Sequence, residues 1–191
     1  FYEKRMPLGA AHRTKQRDLR LYMLVGGMPQ AVNEYVKTNN LAKVDAVKRR
    51  IIKLYSDDFL KIDPTGKLSK LFMSIPSQLS KKSTRFYTNA VVGELEVNTE
   101  AEMLINLEDS KAVLVSYHSD DPNVGLSLTQ DISKYKLFVA DTGLFVTMAF
   151  WDKDFTENVI YQKLLADKLE ANLGYIYENL VAQMLTAVGN K

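Results

Sequence analysis

Apolar residues recur at helical spacing through much of this chain, and the rhythm breaks at glycine, proline and paired asparagine. From Thr14, the positions Leu19, Tyr22, Met23 and Leu24 predict one amphipathic helix. Gly26, opening the pair Gly26-Gly27, suits the left-handed position that closes a helix, where a Cβ is costly. Pro29 pushes Met28 into an extended conformation and fits the first turn of a second helix, which runs to about Lys37. Asn39-Asn40 predicts a turn. Leu41, Val44, Val47, Ile51 and Leu54 then mark one face of a third helix, with Lys43, Lys48, Arg49, Arg50 and Lys53 on the other. Charges so placed read as a solvated face. Before all of this, Phe1–Arg13 is mixed and basic, and Pro7 and Gly9 break any long helix.

Asp63-Pro64-Thr65-Gly66 is a turn and the best candidate boundary between domains. Leu68, Leu71, Phe72, Ile75 and Leu79 predict the next helix, with Pro76 kinking or restarting it, and Ser80–Arg85 forms a basic connector. Thr99-Glu100-Ala101-Glu102 has the form of a capping box, so a helix is expected to start near Glu100 and carry Leu104, Ile105 and Leu107. Two β-rich runs, Ala112–Tyr117 and Tyr135–Ala140, flank a turn at Asp120–Gly125. Helix, helix, helix, strand, turn, strand is the order of a winged helix-turn-helix. After Asp141-Thr142-Gly143 come an apolar segment through Phe150, an acidic turn, and two helical stretches separated at Gly174. The last, Tyr175–Val188, closes on Gly189-Asn190. The expected fold class is mainly α with a small β component. Residues 1–62 form a helical lid or linker, 63–145 a winged-helix-like domain and 146–191 a helical segment.

Composition narrows the chemistry. With 191 residues, 46% of them hydrophobic, the chain can bury a real core. Its 25 basic and 23 acidic residues nearly cancel, so no global field draws it to nucleic acid or membrane. The absence of cysteine excludes disulfides, thiolate catalysis and Cys-ligated metals. His12 and His118 are far apart in sequence, which argues against a histidine metal site. No apolar run reaches the ~18 residues of a membrane span, and no signal-peptide pattern opens the chain. A cytoplasmic protein is the expectation. The first residue, Phe1, suggests a chain beginning inside a longer protein.

Four motifs carry candidate chemistry. Thr65-Gly66-Lys67-Leu68-Ser69 resembles a phosphate loop but has Lys61 where the first glycine belongs and Leu68 where Ser or Thr must follow the lysine. It reads as a turn and a helix start, so no cofactor-binding residue is assigned. Asp141-Thr142-Gly143 has the form of an aspartic-protease triplet, a chemistry that needs two aspartates sharing a proton. Leu144 follows where Ser or Ala is usual, and there is no second triplet, so a turn in which Asp141 caps a short helix is preferred. In a helix-turn-helix the second helix of the motif enters the major groove. Here that stretch carries Glu100, Glu102, Glu108 and Asp109 without a basic residue, and phosphate would repel it. DNA contact would instead fall to Lys67, Lys70, Lys81, Lys82 and Arg85. Finally, Glu178 sits among Ile176, Leu180, Val181, Met184 and Leu185, as a structural ion-pair partner or as one ligand of a metal site needing further carboxylates.

Taken together, LYMLVGGMPQAVNEY, LFMSIPSQLSK, KYKLFVADTGL and GYIYENLVAQML resemble, in order and spacing, a family of predicted P-loop ATPases of the AAA+ superfamily, archaeal-ATPase-like, with a C-terminal domain of unknown function. The resemblance implies a nucleotide-binding domain before the GGMP stretch, then a winged helix, then a restriction-endonuclease-like core of which 146–191 would be the truncated start. Glu178 matches the first acidic position of that core, with the remaining positions beyond Lys191. The implied chain has no catalytic, cofactor or metal site of its own; ATP and Mg would belong to the parent. Its implied partners are its own ATPase domain and a protein, with nucleic acid as the alternative and no membrane. Gly26, Gly27 and Pro29 would form the joint between the ATPase and the modules that report on it.

Overall fold

The computed structural model describes residues 10–121, 129–151, 158–166 and 174–189. The expected turn at Asp120–Gly125, the acidic turn after Phe150, the opening through Gly9 and the closing Asn190 fall wholly or partly outside them. The described chain is mainly helical with one two-stranded antiparallel sheet. Helix α1 spans Ala10–Val25, α2 Pro29–Thr38, α3 Leu41–Ile62 and α4 Lys67–Ser80. A short α5, Asn89–Val92, and α6, Val97–Asp109, lead into β1, Val113–Ser119, and β2, Gln130–Val139. Helices α7, Thr142–Ala149, α8, Asn158–Leu165, and α9, Gly174–Ala187, complete the order.

Local chemistry accounts for the punctuation. Gly26 closes α1 at φ +79°, its N–H bonding the Tyr22 carbonyl at 2.8 Å. Met28 is extended and Pro29 takes the first position of α2. Asn39 caps α2 in the left-handed region, and the Asn40 side chain caps α3 by accepting from Ala42 and Lys43. At the next corner Asp63 accepts from the Thr65 and Leu68 N–H groups, fixing the turn into α4.

Three expectations are corrected. Leu54 is 63% exposed, whereas Lys48, read as solvated, is 0% exposed. The buried stripe of α3 runs Leu41, Val44, Lys48, Ile52 and Phe59, rotated by one position from the predicted face. Helix α6 begins at Val97, so Thr99 lies inside its first turn and the capping box does not form; Glu96 precedes the helix without a side-chain cap. Of the two outcomes expected at Pro76, the restart does not occur: α4 continues through it, with Pro76 buried beside Ile75 and Leu79.

One apolar core draws on α1, α3, α4, α6, both strands, α7, α8 and α9. Its centre is α7, buried from Thr142 through Met148 and packed against α1, α3, α4, α9 and β2. A helix apolar on all sides belongs in an interior rather than at a surface. Strand β1 pairs with β2 from Val113 opposite Val139, with a register irregularity at Tyr117/His118.

Candidate functional site

The densest polar chemistry lies where the Gly26-Gly27 corner meets the start of α7. Asp141 is buried, and its two carboxylate oxygens are both engaged. Oδ2 accepts from the Gly27 N–H at 2.6 Å, and Oδ1 accepts from the Leu144 N–H at 2.8 Å, capping α7 as the sequence predicts. Gly143 permits the approach: a Cβ there would sit 2.5 Å from the Gly26 Cα and 2.7 Å from the Val25 carbonyl oxygen. Only a hydrogen fits in that gap.

Lys48 locks the same corner from below. Its Nζ donates to the Leu24 carbonyl at 2.6 Å and to the Gly143 carbonyl at 3.1 Å, joining the end of α1 to the start of α7. The Leu24 carbonyl belongs to the last turn of α1, where intrahelical donors run out, so the lysine serves as a cap. Its ammonium stands 5.3 Å from the centre of the Tyr161 ring. Burial pushes the Lys48 amine down to about 8, against the pull of Asp45 and Asp141.

Asp45, one turn earlier on α3, gathers the next layer. It accepts from the Tyr161 hydroxyl, from Thr147 Oγ1 at 2.8 Å and from Arg49 Nε at 2.7 Å. Burial and the adjacent Asp45 charge raise the Tyr161 hydroxyl, which stays protonated as a donor. Arg49 continues to the Trp151 carbonyl at 3.1 Å and stacks its guanidinium 5.0 Å from the Trp151 ring. From the other side α9 contributes two amides. Asn179 accepts from the Val139 N–H at 2.8 Å and donates to the Val139 carbonyl at 3.0 Å, occupying the edge of β2 as a peptide group would. Gln183 accepts from the Thr142 N–H at 2.9 Å and donates to the Tyr22 hydroxyl at 2.8 Å. Among the described residues, every buried side-chain nitrogen and oxygen has a partner.

The cluster is a clasp made of Gly26, Gly27, Asp141, Gly143 and Lys48, with Asp45, Asn179 and Gln183 bracing it. Sequence reasoning named the two glycines and Asp141 separately but missed Lys48, Asp45, Asn179 and Gln183. The signal for Lys48 was available, since it falls four residues after Val44 and four before Ile52 on one helical stripe.

The remaining sequence-named residues lie apart from the clasp. Glu178 forms an ion pair with Lys136 of β2, Nζ to Oε1 at 2.6 Å, at a partly exposed position. Lys70, Lys81, Lys82 and Arg85 are exposed and Lys67 is partly so. Among the described residues no carboxylate pairs with these five, and Arg85 stacks over the Tyr87 ring at 5.0 Å. Between the two regions, Tyr135 donates to Glu100 at 2.6 Å and shares a short hydrogen bond with Thr88. Among the described residues no three His, Asp or Glu side chains are grouped to hold a metal, and no helix is long and apolar enough to cross a membrane.

Fold and site together define a mainly helical protein in which a buried central helix is fastened to a glycine corner by a carboxylate and a lysine. The chain belongs to the family described as Domain of unknown function (DUF8612), matched over residues 16–154. That span contains all five clasp residues; the bracing amides of α9 lie outside it. No curated protein and no solved structure matches the chain.

Proposed function

We propose that this chain is a non-catalytic regulatory and interaction region of an AAA+-type ATPase, coupling its nucleotide-binding domain to a protein partner. The observation that carries the reading is the surface of α6. Read as a winged helix, the order α4, α5, α6, β1, β2 would make α6 the recognition helix, and the 2.7 Å bond from the Phe86 N–H to the Tyr135 carbonyl supports this reading as the counterpart of a short first strand. Its exposed side offers Glu102, Glu108 and Asp109 beside Val97, 81% exposed, and Ile105, 58% exposed. The carboxylates repel a phosphate backbone, and the exposed branched aliphatics beside them offer apolar area to a protein.

In this reading the clasp is the transmission element. The corner after α1 cannot move without α7, so a push on α1 from an ATPase domain displaces the hairpin and α9 as one rigid body. Helix α9, with Glu178 paired to Lys136, would be the first helix of a nuclease-like core. The test is ATP turnover in the intact ATPase, with and without its partner, in wild type and in Gly26→Ala. A loss of partner-dependent turnover with basal turnover kept is expected; unchanged coupling in a destabilised corner sinks the transmission idea.

A second reading is DNA binding through Lys67, Lys70, Lys81, Lys82 and Arg85. It is favoured by one observation: four of these cations are exposed and Lys67 partly so, and none has a carboxylate partner among the described residues. Titration with duplex DNA at two salt concentrations decides it, because phosphate neutralisation must weaken as salt rises. Absent or salt-insensitive binding removes this reading.

A further inference from the structure

We propose that the acidic face of α6 and the basic connector after α4 pair with each other between two copies of this chain, forming a two-fold dimer. The two patches carry opposite charge and, apart from Asp109, which pairs with Lys111 at 3.9 Å, leave it unused within one copy. Glu94, Glu96, Glu102 and Glu108 form no ion pair among the described residues, and neither do Lys81, Lys82 and Arg85. Each patch also exposes apolar surface beside its charge. On the acidic side Val97 and Ile105 stand out of the helix, two turns apart. On the basic side Tyr87 is 42% exposed under the Arg85 guanidinium, an aromatic and an arginine presented together.

Their placement selects the symmetry. The connector reaches the α6 side through Thr88, whose hydroxyl meets Tyr135, which in turn donates to Glu100 of α6. The patches therefore flank one polar cluster rather than opposite ends of the molecule. A two-fold axis beside that cluster sets acidic on basic twice, closing the assembly with both patches used. Charge complementarity of this kind fixes partner and register. This pairing makes a second copy of the chain the partner that occupies the α6 surface, and it does not depend on the ATPase reading.

Sedimentation velocity and equilibrium of the purified chain test it. Wild type should show a concentration-dependent dimer that weakens by about tenfold or more as NaCl rises from about 0.05 M to about 0.5 M, where rim charges are screened. The doubly reversed variants E102K/E108K and K81E/R85E should each be monomeric, since each then carries two faces of like sign. An equimolar mixture of the two should dimerise again. All four substituted side chains are exposed, and thermal melts matching wild type would show intact folding. A wild type that stays monomeric at low salt, a dimer indifferent to salt, a dimer that survives either reversal, or a mixture that fails to restore it each overturns the proposal. The salt series uses wild type alone, so a variant that folds poorly does not rescue the idea.

Discussion

Gly143→Ala isolates the clasp. The residue is not left-handed, so alanine brings no backbone strain there, and any cost is steric. The new Cβ would meet the Gly26 Cα at 2.5 Å, the Gly26 nitrogen at 2.6 Å and the Val25 oxygen at 2.7 Å, all backbone atoms, where 3.4 Å is ordinary contact. Relief requires the corner and α7 to separate by about 0.9 Å at the closest pair. The Gly27 N–H bond to Asp141 is 2.6 Å, and the Lys48 bond to the Gly143 carbonyl is 3.1 Å; such a shift carries at least one of them past useful length. Overpacking costs about 1–3 kcal/mol and a lost hydrogen bond to a charged group about 1.5–3, so the expected destabilisation is about 3–5 kcal/mol. For a domain of this size that lowers Tm by about 6–20 °C. Urea denaturation should report the same loss as a lower midpoint with unchanged slope. Two other glycines calibrate it. Gly93 sits at φ +79°, ψ −177°, a region open essentially only to glycine, with nothing within 4 Å, so Gly93→Ala should cost only the conformational ~1–3 kcal/mol. Gly27→Ala, whose nearest contact is 3.5 Å, should cost still less. If Gly143→Ala proved no worse than Gly93→Ala, the close backbone approach would not matter to stability.

The pH dependence of stability provides a second check, on Lys48. Its folded value of about 8 lies below the ordinary 10.5, so from pH 8 upward the unfolded chain holds a proton that the folded one releases, and stability rises, on the order of 2–3 kcal/mol by pH 10. Above pH 10 the raised hydroxyls of Tyr135 and Tyr161 reverse the trend, because the folded chain then retains protons that the unfolded one loses. Chemical denaturation of wild type and Lys48→Met across pH 7–10 should show the rise only in wild type; Lys48→Met should also leave the Leu24 carbonyl unpaired, at about 1–3 kcal/mol. Asn179→Asp exchanges a donor for an oxygen facing the Val139 carbonyl, so a loss of about 2–4 kcal/mol at neutral pH, partly recovered in acid, is expected in urea titrations. Glu178→Gln breaks a partly exposed pair and should change stability by less than about 1 kcal/mol in the same assay, however short its bond.

How much of this could be read beforehand depended on whether local chemistry or tertiary context decided the outcome. Gly26, Pro29, Asn39-Asn40 and Asp63–Gly66 act on their own backbone, and the corners they predict are present. The amphipathic surface helices followed from spacing for the same reason. Helix α7 was legible only as the short helix that Asp141 would cap, because a segment buried on every side has no polar face and hence no period to detect. Lys48 was misplaced because a lysine directly before Arg49-Arg50 resembles the start of a solvated basic run; only the carbonyls of Leu24 and Gly143, distant in sequence, make its burial tolerable. At α6 the Thr99–Glu102 pattern had the right residues, but the helix gained a further half-turn before it. In the clasp, Asp141 as a cap was legible from Asp-Thr-Gly alone. Its bond to Gly27 was not, since nothing in either segment announces the other.

That last bond spans 114 residues of chain. Bringing such distant ends together costs about 4 kcal/mol of loop entropy before any contact repays it. During synthesis α1, α2 and α3 emerge long before α7, and the apolar sides of Met23, Leu24, Val44 and Ile52 must wait uncovered for it. The molecule should therefore fold late and all at once, with the arrival of Asp141 and Gly143 as the rate-setting event. A nascent chain halted before residue 141 would be a substrate for chaperones rather than a half-finished domain.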